Sequence, residues 1–485
     1  MTRPARLLSG LLLAVSAAAC EAGPSAFDRR SAPEDTADAA SLPHVPQAQD
    51  VEALPTDTAN GRTPGVGGGT EAPGDQGEGI APADSAGPLV FERPEHIRGI
   101  YLNAWAAGSS RRVDALLDLA RRTEINAFVI DIKDASGYVS HRSEVALAQE
   151  AGATGQIRIR DLPGLLRRLR TEGIYPIARI VIVQDPILAA ARPDMAIQDR
   201  DGGTFKDSKG FFWLNPYDRR VWDYHVDLAR EMARMGFPEV QWDYVRFPDI
   251  PASEKARVVY PGSGDTPQPQ AICDFLAHAR EKLADLGVVV TADVFGVTTS
   301  ASRDVGIGQI WEQLIDEVDV ALPMVYPSHY WRGSFGYPVP NAHPYEVVKR
   351  ALTDALRRSA AVPGAGATRP WLQDFTLGQP RYGAPEVRAQ IQAAYDAGIQ
   401  DWILWNPGSR YTEAALEPVG GFTEEPLIRV GGRVVPVSRR RAVLDSLAAP
   451  AAPPGDTAQR GDTAKAGGDP PTSSARRPAA RRSRP

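Results

Sequence analysis

The sequence of 485 residues contains only two cysteines, Cys20 and Cys273. Two thiols are too few for a cysteine-based zinc site. If Cys20 carries a lipid, no disulfide can form within the chain. We then expect Cys273, which lies in the helical pattern AICDFLAHAR, to be a small buried apolar group.

The chain also lacks the short motifs of several enzyme classes. It has no HExxH metal-binding motif and no GxSxG nucleophile elbow, and the turn after the first predicted strand (YLNAWAAGSSRR) lacks GxGxxG. We therefore expect no metal and no cofactor. The net charge of -6 argues against nucleic acid as the main partner, although the final residues SARRPAARRSRP are basic.

The apolar run near the N-terminus is too short to span a membrane. Residues 7–19 follow the positive residues Arg3 and Arg6, which is typical of an export signal. Small residues precede Cys20, so the segment resembles a bacterial lipoprotein signal; the alternative is an ordinary signal peptide cleaved near Ala19. We expect an exported monomer of the cell envelope, periplasmic or on the cell surface, that touches the membrane only through a lipid on Cys20.

Composition divides the chain into four segments. Residues 1–20 form the predicted signal, and residues 21–90 are rich in Pro, Gly, Ala, Asp and Thr. Such a segment cannot bury enough apolar surface to offset its ordering entropy, so we predict a disordered, flexible linker. Residues 91–447 hold the folded domain, and residues 448–485 form a second disordered tail.

Between the tails, eight strand-like apolar runs alternate with seven helical patterns. Near-continuous apolar strands separated by helices indicate a parallel sheet, and eight of them predict a (β/α)8 TIM barrel. The alternative is an open doubly wound sheet. The runs are 98–105, 126–134, 175–185, 238–248, 288–296, 318–327, 369–378 and 401–407.

Active sites of such barrels lie at the carboxyl ends of the strands, where this sequence places several charges. Because alternate residues point the same way, Asp131 and Lys133 share a face; Asp243 and Asp293 end the fourth and fifth strands, and Arg179 lies on the third. We expect three carboxylates, a lysine and an arginine to converge, although Asp131 beside Lys133 also fits a structural ion pair. A cation keeps one acid ionised while another acid retains its proton, which is the arrangement that glycoside cleavage requires.

Aromatic and amide side chains crowd the same strand ends. Trp105, Tyr326 and Trp405 are candidates to stack on the apolar faces of a sugar, and Asn406 and His329 are candidates to bind its hydroxyls. Aromatic residues are equally common core material, so this cluster adds only modest support for a sugar site.

Several motifs in fixed order resemble one bacterial family. They are RGIYLNAW, NAFVIDIKDASG, YPIARIVIVQD, GFFWLNPYDRRVWDY, QWDYVRFP, ADVFG and ALPMVYPSHY, between about residues 97 and 410. The family is described as "putative glycosyl hydrolase domain", and its layout is similar to the barrels of the α-amylase superfamily. The resemblance implies that Asp243 is the nucleophile and Asp293 the acid/base. This chain has Gln241 where those barrels have an arginine, and an aspartate at 293 where they have a glutamate.

Three hypotheses follow for the function. The first is an exported glycoside hydrolase acting on a poly- or oligosaccharide, in which substrate binding or charge tuning falls to Asp131, Lys133, Arg179 and Arg246. The second is a non-catalytic carbohydrate-binding barrel on the cell surface, motivated by Gln241. The third is a metal-dependent polysaccharide deacetylase or hydrolase that uses Asp131, Asp134 and His329. The first requires Asp243 and Asp293 to meet at one open rim.

Overall fold

The computed structural model describes residues 89–448, and the predictions for the signal segment, the linker, Cys20 and the C-terminal tail lie outside these residues. Eight parallel strands form the core of the fold: β1 (Arg98–Leu102), β2 (Ala127–Lys133), β3 (Tyr175–Val181), β4 (Glu239–Asp243), β5 (Val289–Phe295), β6 (Val320–Met324), β7 (Trp371–Gln373) and β8 (Trp402–Trp405). They form a closed barrel in the order β7-β8-β1-β2-β3-β4-β5-β6, and Trp371 of β7 lies opposite Met324 of β6. The (β/α)8 prediction is confirmed, and the open sheet is wrong.

Each of the seven predicted helical crossovers is a helix in the structure. These helices are α1 (Ser110–Arg122), α2 (Leu162–Thr171), α3 (Arg219–Met235), α4 (Gln268–Leu283), α5 (Trp311–Glu317), α6 (Pro344–Ser359) and α7 (Ala384–Ala397). Local signals set their ends: Asp161 caps α2 by accepting a 2.8 Å hydrogen bond from the amide of Gly164, and Gly236 ends α3 in the left-handed region at φ 111°. Cys273 lies buried in α4, as predicted.

Short strands and short helices lie in the loops between the barrel elements. Two antiparallel two-residue strands, Gln198–Asp199 and Val258–Val259, pair in the loop regions after β3 and β4, and Ala367–Thr368 pairs with β6. Short helices cover Ala104–Ala107, Ala146–Glu150, Pro186–Ala191 and Ala252–Lys255. Among the helices of residues 89–448, none has the length and apolar character needed to cross a bilayer.

Two apolar layers follow from the alternation of side chains along the strands. Residues such as Val129 and Ile177 fill the barrel interior, while neighbours such as Phe128 and Ala178 pack against the helices. Near the beginning of β4 a buried ion pair crosses the interior, where Arg369 donates a 2.6 Å hydrogen bond to Glu239. Side chains therefore fill the end of the barrel where the strands begin, here called the lower end. The functional polar side chains are expected at the upper end, where the strands end.

A hairpin and a helix follow the barrel. The antiparallel strands β9 (Leu427–Val430) and β10 (Arg433–Pro436) precede α8 (Arg440–Ala448). Arg429 of β9 donates a 2.7 Å hydrogen bond to Glu386 of α7, and Arg440 donates a 2.6 Å bond to Asp396 at the end of α7. Sequence analysis assigned these residues to the barrel domain without recognising the hairpin.

Candidate active site

One guanidinium group connects three strands at the upper end of the barrel. Arg179 of β3 donates from Nη1 to Asp131 of β2, and from Nε and Nη2 to Oδ2 of Asp243 of β4, with the Nε bond at 3.0 Å. The same Nε lies 3.9 Å from Oδ2 of Asp293 of β5. All four side chains are buried. The structure therefore brings together the three carboxylates and the arginine that sequence analysis selected.

Asp293 is almost completely enclosed, as is Asp131. Its Oδ1 accepts a 2.7 Å hydrogen bond from the indole N–H of Trp371, and its Oδ2 accepts a 3.0 Å bond from Nε2 of Gln241. Burial, reinforced by the charge of Asp243, raises the pKa of Asp293 well above the usual range, although Arg179 opposes the shift. Asp293 is therefore the member of the cluster that holds a proton most readily.

Asp243 lies where the chain leaves β4. Its Oδ1 accepts a 2.5 Å hydrogen bond from the backbone N–H of Tyr244, whose φ of 52° turns the chain sharply after the strand. The guanidinium of Arg179 donates two further hydrogen bonds to its Oδ2. The side chain of Asp243 retains 8% exposure and that of Asp293 retains 1%, so neither acid lies open at the rim as the first hypothesis expected.

Asp131 is held against an aromatic wall. The hydroxyl of Tyr101 donates to its Oδ2, and the Tyr101 ring stacks on Trp405 with centroids 3.9 Å apart. The guanidinium carbon of Arg179 lies 5.1 Å from the centre of the Trp405 ring, a cation–π contact. Burial raises the pKa of Asp131 to about 6, against the opposing charge of Arg179.

Lys133 does not join the cluster, and the prediction that it does is wrong. Its Nζ lies 2.9 Å from a carboxylate oxygen of Asp185 and donates a 2.8 Å hydrogen bond to the carbonyl of Val181. The pairing of β2 with β3 shifts register between Asp131 and Lys133, so the simple alternation of side chains ends there. The structural ion pair considered for Asp131 and Lys133 is wrong as well, because each has another partner.

Arg246 lies in an aromatic cage beside the cluster. Its guanidinium carbon is 4.6 Å from the ring centre of Tyr244, 4.8 Å from that of Phe295 and 5.4 Å from that of Trp213. Burial lowers the pKa of Arg246. Arg179 supplies a cation that contacts Asp243 directly.

Trp105 is the exposed aromatic residue at this end of the barrel. It lies on the short helix Ala104–Ala107, whose other residues are buried, and its side chain is 60% exposed. Asn103 caps this helix by accepting a 2.8 Å hydrogen bond from the amide of Ala106. The guanidinium carbon of Arg158 lies 5.3 Å from the centre of the Trp105 ring and limits the orientations of that ring.

Tyr326, His329 and Asn406 are the remaining residues that were predicted to contact a sugar. Tyr326 is buried, its ring centre is 5.2 Å from that of His329, and burial together with the charges of Asp293 and Asp243 raises its pKa well above the usual range. Asn406 stabilises a loop instead, because its Nδ2 donates a 2.5 Å hydrogen bond to the carbonyl of Asp374.

The three residues of the metal hypothesis are engaged separately. Asp131 contacts Arg179, Asp134 forms an ion pair with Arg158, and His329 lies 3.0 Å from the Ser328 hydroxyl. Within residues 89–448, no group of three or more His, Cys, Asp or Glu side chains is arranged to hold a metal ion. The described part of the chain therefore gives this hypothesis no support.

A cavity of about 600 Å³ opens at the opposite end of the barrel. Its lining includes Phe91 and Arg93, which precede β1, and Arg170 and Ile174, which precede β3. Because chemistry in these barrels takes place at the carboxyl ends of the strands, we do not assign this cavity to the carboxylate cluster.

Sequence analysis did not select three residues that shape the cluster. Tyr101 and Trp371 are aromatic residues within strands, where they are indistinguishable from core material, and Gln241 was treated only as a departure from a pattern. The signal that could have found them is alternation, because Tyr101 and Trp371 each lie two residues before a polar residue at a strand end.

A comparison with known protein families identifies the family of this chain. The family model described as "Putative glycosyl hydrolase domain" matches residues 99–411. A comparison with curated proteins gives no match.

Solved structures give additional similarities. A hypothetical protein from Ruminiclostridium thermocellum ATCC 27405 is 37% identical over 40% of this chain and 97% of its own, with a TM-score of 0.37. The PgaB (BpsB) glycoside hydrolase domain from Bordetella bronchiseptica is 12% identical over 65% of this chain and 95% of its own, with a TM-score of 0.47. The spore cortex-lytic enzyme SleL from Bacillus megaterium QM B1551 is 10% identical over 67% and 74%, with a TM-score of 0.39.

Proposed function

This chain belongs to the family described as "Putative glycosyl hydrolase domain", and on that premise we propose that it is a glycoside hydrolase that cleaves a poly- or oligosaccharide with the paired carboxyls of Asp243 and Asp293. The support is electrostatic. One guanidinium, that of Arg179, donates two hydrogen bonds to Asp243 but lies 3.9 Å from Asp293, whose pKa is raised by burial. One ionised and one protonated carboxyl are the pair that glycoside cleavage uses.

In this mechanism each acid has one role. The carboxylate of Asp243 attacks the anomeric carbon, while Asp293 transfers its proton to the leaving glycosidic oxygen. Water then attacks the anomeric carbon of the glycosyl intermediate, the bond to Asp243 breaks and releases its carboxylate, and Asp293 takes up the proton that water loses. Nε of Arg179 lies 3.0 Å from Oδ2 of Asp243 and 3.9 Å from Oδ2 of Asp293, so these oxygens are no farther apart than the sum of the two distances.

The surrounding rings are proposed to form the sugar site. Trp405 and Tyr101 make a stacked wall beside Asp131, and Trp105 presents an exposed ring at the same end of the barrel. An aromatic ring can stack on the apolar face of a sugar while a nearby carboxylate accepts hydrogen bonds from its hydroxyls. Asp131 and Arg179 then position the substrate and set the charge of the site.

For localisation we propose export, with a lipid anchor on Cys20. The support is the sequence pattern alone, namely two arginines, a short apolar run and small residues before the cysteine. Metabolic labelling with a palmitate analogue in a bacterial host, compared between the natural chain and Cys20→Ser, tests this. Equal labelling of the two chains would contradict a lipid anchor on Cys20.

Asp243→Asn tests the catalytic proposal because it removes the nucleophile and keeps the shape of the side chain. On a substrate found by screening bacterial surface polysaccharides, we expect turnover to fall by at least about 10³-fold. Asp201→Asn, which changes an exposed loop acid, is the matched control and should retain full turnover. Undiminished turnover in folded Asp243→Asn would remove the role assigned to Asp243.

A carbohydrate-binding barrel without catalysis is the second candidate, and the low exposure of both acids favours it. It predicts glycan binding without hydrolysis, and binding that is insensitive to Asp243→Asn and Asp293→Asn. A glycan array probed in parallel with product analysis separates the two candidates.

A further inference from the structure

Gln241 has one buried polar atom that the fold leaves unpaired. The residue lies in β4, two positions before Asp243, and is fully buried. Its Nε2 donates a 3.0 Å hydrogen bond to Asp293, whereas its Oε1 has no hydrogen-bond partner within residues 89–448. A buried amide oxygen without a donor is destabilising, so this position requires a physical explanation.

The neighbours of Asp293 restrict where a proton on that acid can point. Trp371 and Arg179 carry only donors, so neither can accept a hydrogen bond from a protonated carboxyl. The groups that can accept are the carboxylate of Asp243, the hydroxyl of Tyr326 and Oε1 of Gln241. Of these three residues, Gln241 is the one already in hydrogen-bond contact with Asp293. Burial and the charge of Asp243 favour the protonated acid.

We propose that Gln241 is a positioning residue that serves Asp293 in both of its protonation states. Its Nε2–H donates to the carboxylate; after a half turn about the last side-chain bond, its Oε1 accepts the O–H of the carboxylic acid. The two ends of an amide are nearly equal in size, so the turn requires little extra room. In either orientation one end of the amide lacks a partner, so the proton on Asp293 decides which orientation is favoured.

This inference rests on the proposed hydrolase function and adds a step to it. Asp293 gives its proton to the leaving oxygen as the bond from that oxygen to the anomeric carbon breaks, and it regains a proton when water is deprotonated. A side chain that only donates would stabilise the ionised acid and oppose the first transfer. The amide of Gln241, which can both donate and accept, accommodates both halves of the cycle.

Infrared difference spectroscopy on the intact chain tests the proposal without a substrate. The carbonyl band of a protonated carboxyl that disappears in Asp293→Asn identifies Asp293. In Gln241→Arg, which only donates, we expect the pH midpoint of this band to fall by at least about one unit. In Gln241→Met, which neither donates nor accepts, we expect the band to move to the higher frequency of an acid without an acceptor.

The matched control is Gln392→Met on α7, which removes a glutamine remote from Asp293 and should leave the band unchanged. An unchanged frequency and midpoint in Gln241→Met would overturn the proposal, as would the absence of any Asp293 band at every pH. If the Gln241 variants do not fold, neutron diffraction from the natural chain below and above the midpoint replaces them. A reversed amide supports the proposal, and one fixed orientation overturns it. Because no substrate is present, an unchanged band in Gln241→Met leaves the hydrolase function to be decided by Asp243→Asn, whereas the absence of any Asp293 band also contradicts the acid role of Asp293.

Discussion

Lys133 and Asp185 form a salt bridge of 2.9 Å in which both side chains are excluded from solvent. Asp185 also caps the short helix Pro186–Ala191 by accepting a 2.8 Å hydrogen bond from the amide of Leu188. The pair therefore ties the end of β2 to the loop after β3, beside the Arg179 cluster but not part of it. Removing one partner leaves the other charge buried and unpaired, which is much more destabilising than removing both.

Lys133→Met is expected to lower the free energy of unfolding by about 3–5 kcal/mol and to leave turnover per folded molecule unchanged. Urea denaturation gives the first quantity and titrated activity the second. The double variant Lys133→Met with Asp185→Asn should recover part of the stability. A stable Lys133→Met with a raised KM would instead assign Lys133 to the substrate.

Asp293→Asn is expected to lower kcat by about 10²–10⁴-fold, because the leaving oxygen loses its proton donor. In the natural chain the donor form of Asp293 is present below its raised pKa, so kcat/KM should fall as the pH rises through that value. A substrate with an activated leaving group needs less protonation and should lose less activity in the variant. Equal losses on both kinds of substrate would contradict the acid role.

Trp105→Ala is expected to raise KM for a long oligosaccharide by about tenfold, corresponding to about 1.4 kcal/mol of lost stacking. The ring is exposed, so stability should change by no more than about 0.5 kcal/mol. Val419→Ala is a suitable control, because Val419 is exposed at the opposite end of the barrel, where its amide bonds the carbonyl of Arg122. A shared effect on KM would show that the change is not specific to the stacking site.

Asp374 is expected to make the protein less stable as the pH rises from about 4 to about 6. Burial raises its pKa to about 6, while hydrogen bonds from Thr412 oppose the shift. The folded state then binds more protons than the unfolded state between these values, so the free energy of unfolding falls with pH there, by at most about 3 kcal/mol. Asp374→Asn should remove this part of the slope in urea denaturation at several pH values. An unaltered slope would contradict it, and Asp201→Asn is the neutral control.

The order of strands and helices was predictable because each element carries its own periodicity. Apolar runs of strand length and amphipathic crossover helices appear in the sequence at the positions that the structure shows. Predicted strands such as 175–185 extend past their ends in the structure, because sequence patterns do not show where pairing stops. The hairpin of β9 and β10 was missed, since its residues lie beyond the repeating pattern.

Alternation predicted the carboxylate cluster only as far as each strand remains regular. Asp131 and Arg179 were both expected in one cluster, and the structure pairs them in register across β2 and β3. It was wrong for Lys133, because the register shifts between Asp131 and Lys133. The positive φ of Tyr244 turns the chain after Asp243, so the alternation of side chains ends there as well. The position of Arg246 among aromatic rings could therefore not be predicted from residue spacing alone.

Trp371 takes part both in strand pairing and in the carboxylate cluster. Its backbone pairs with Met324 where β7 meets β6, and its indole donates to Asp293. A chain in which β6 and β7 are not yet paired therefore also lacks the hydrogen bond from Trp371 to Asp293. The proposed function then predicts that, during refolding, hydrolysis begins only once β6 and β7 have paired, so the onset of activity would report completion of the barrel.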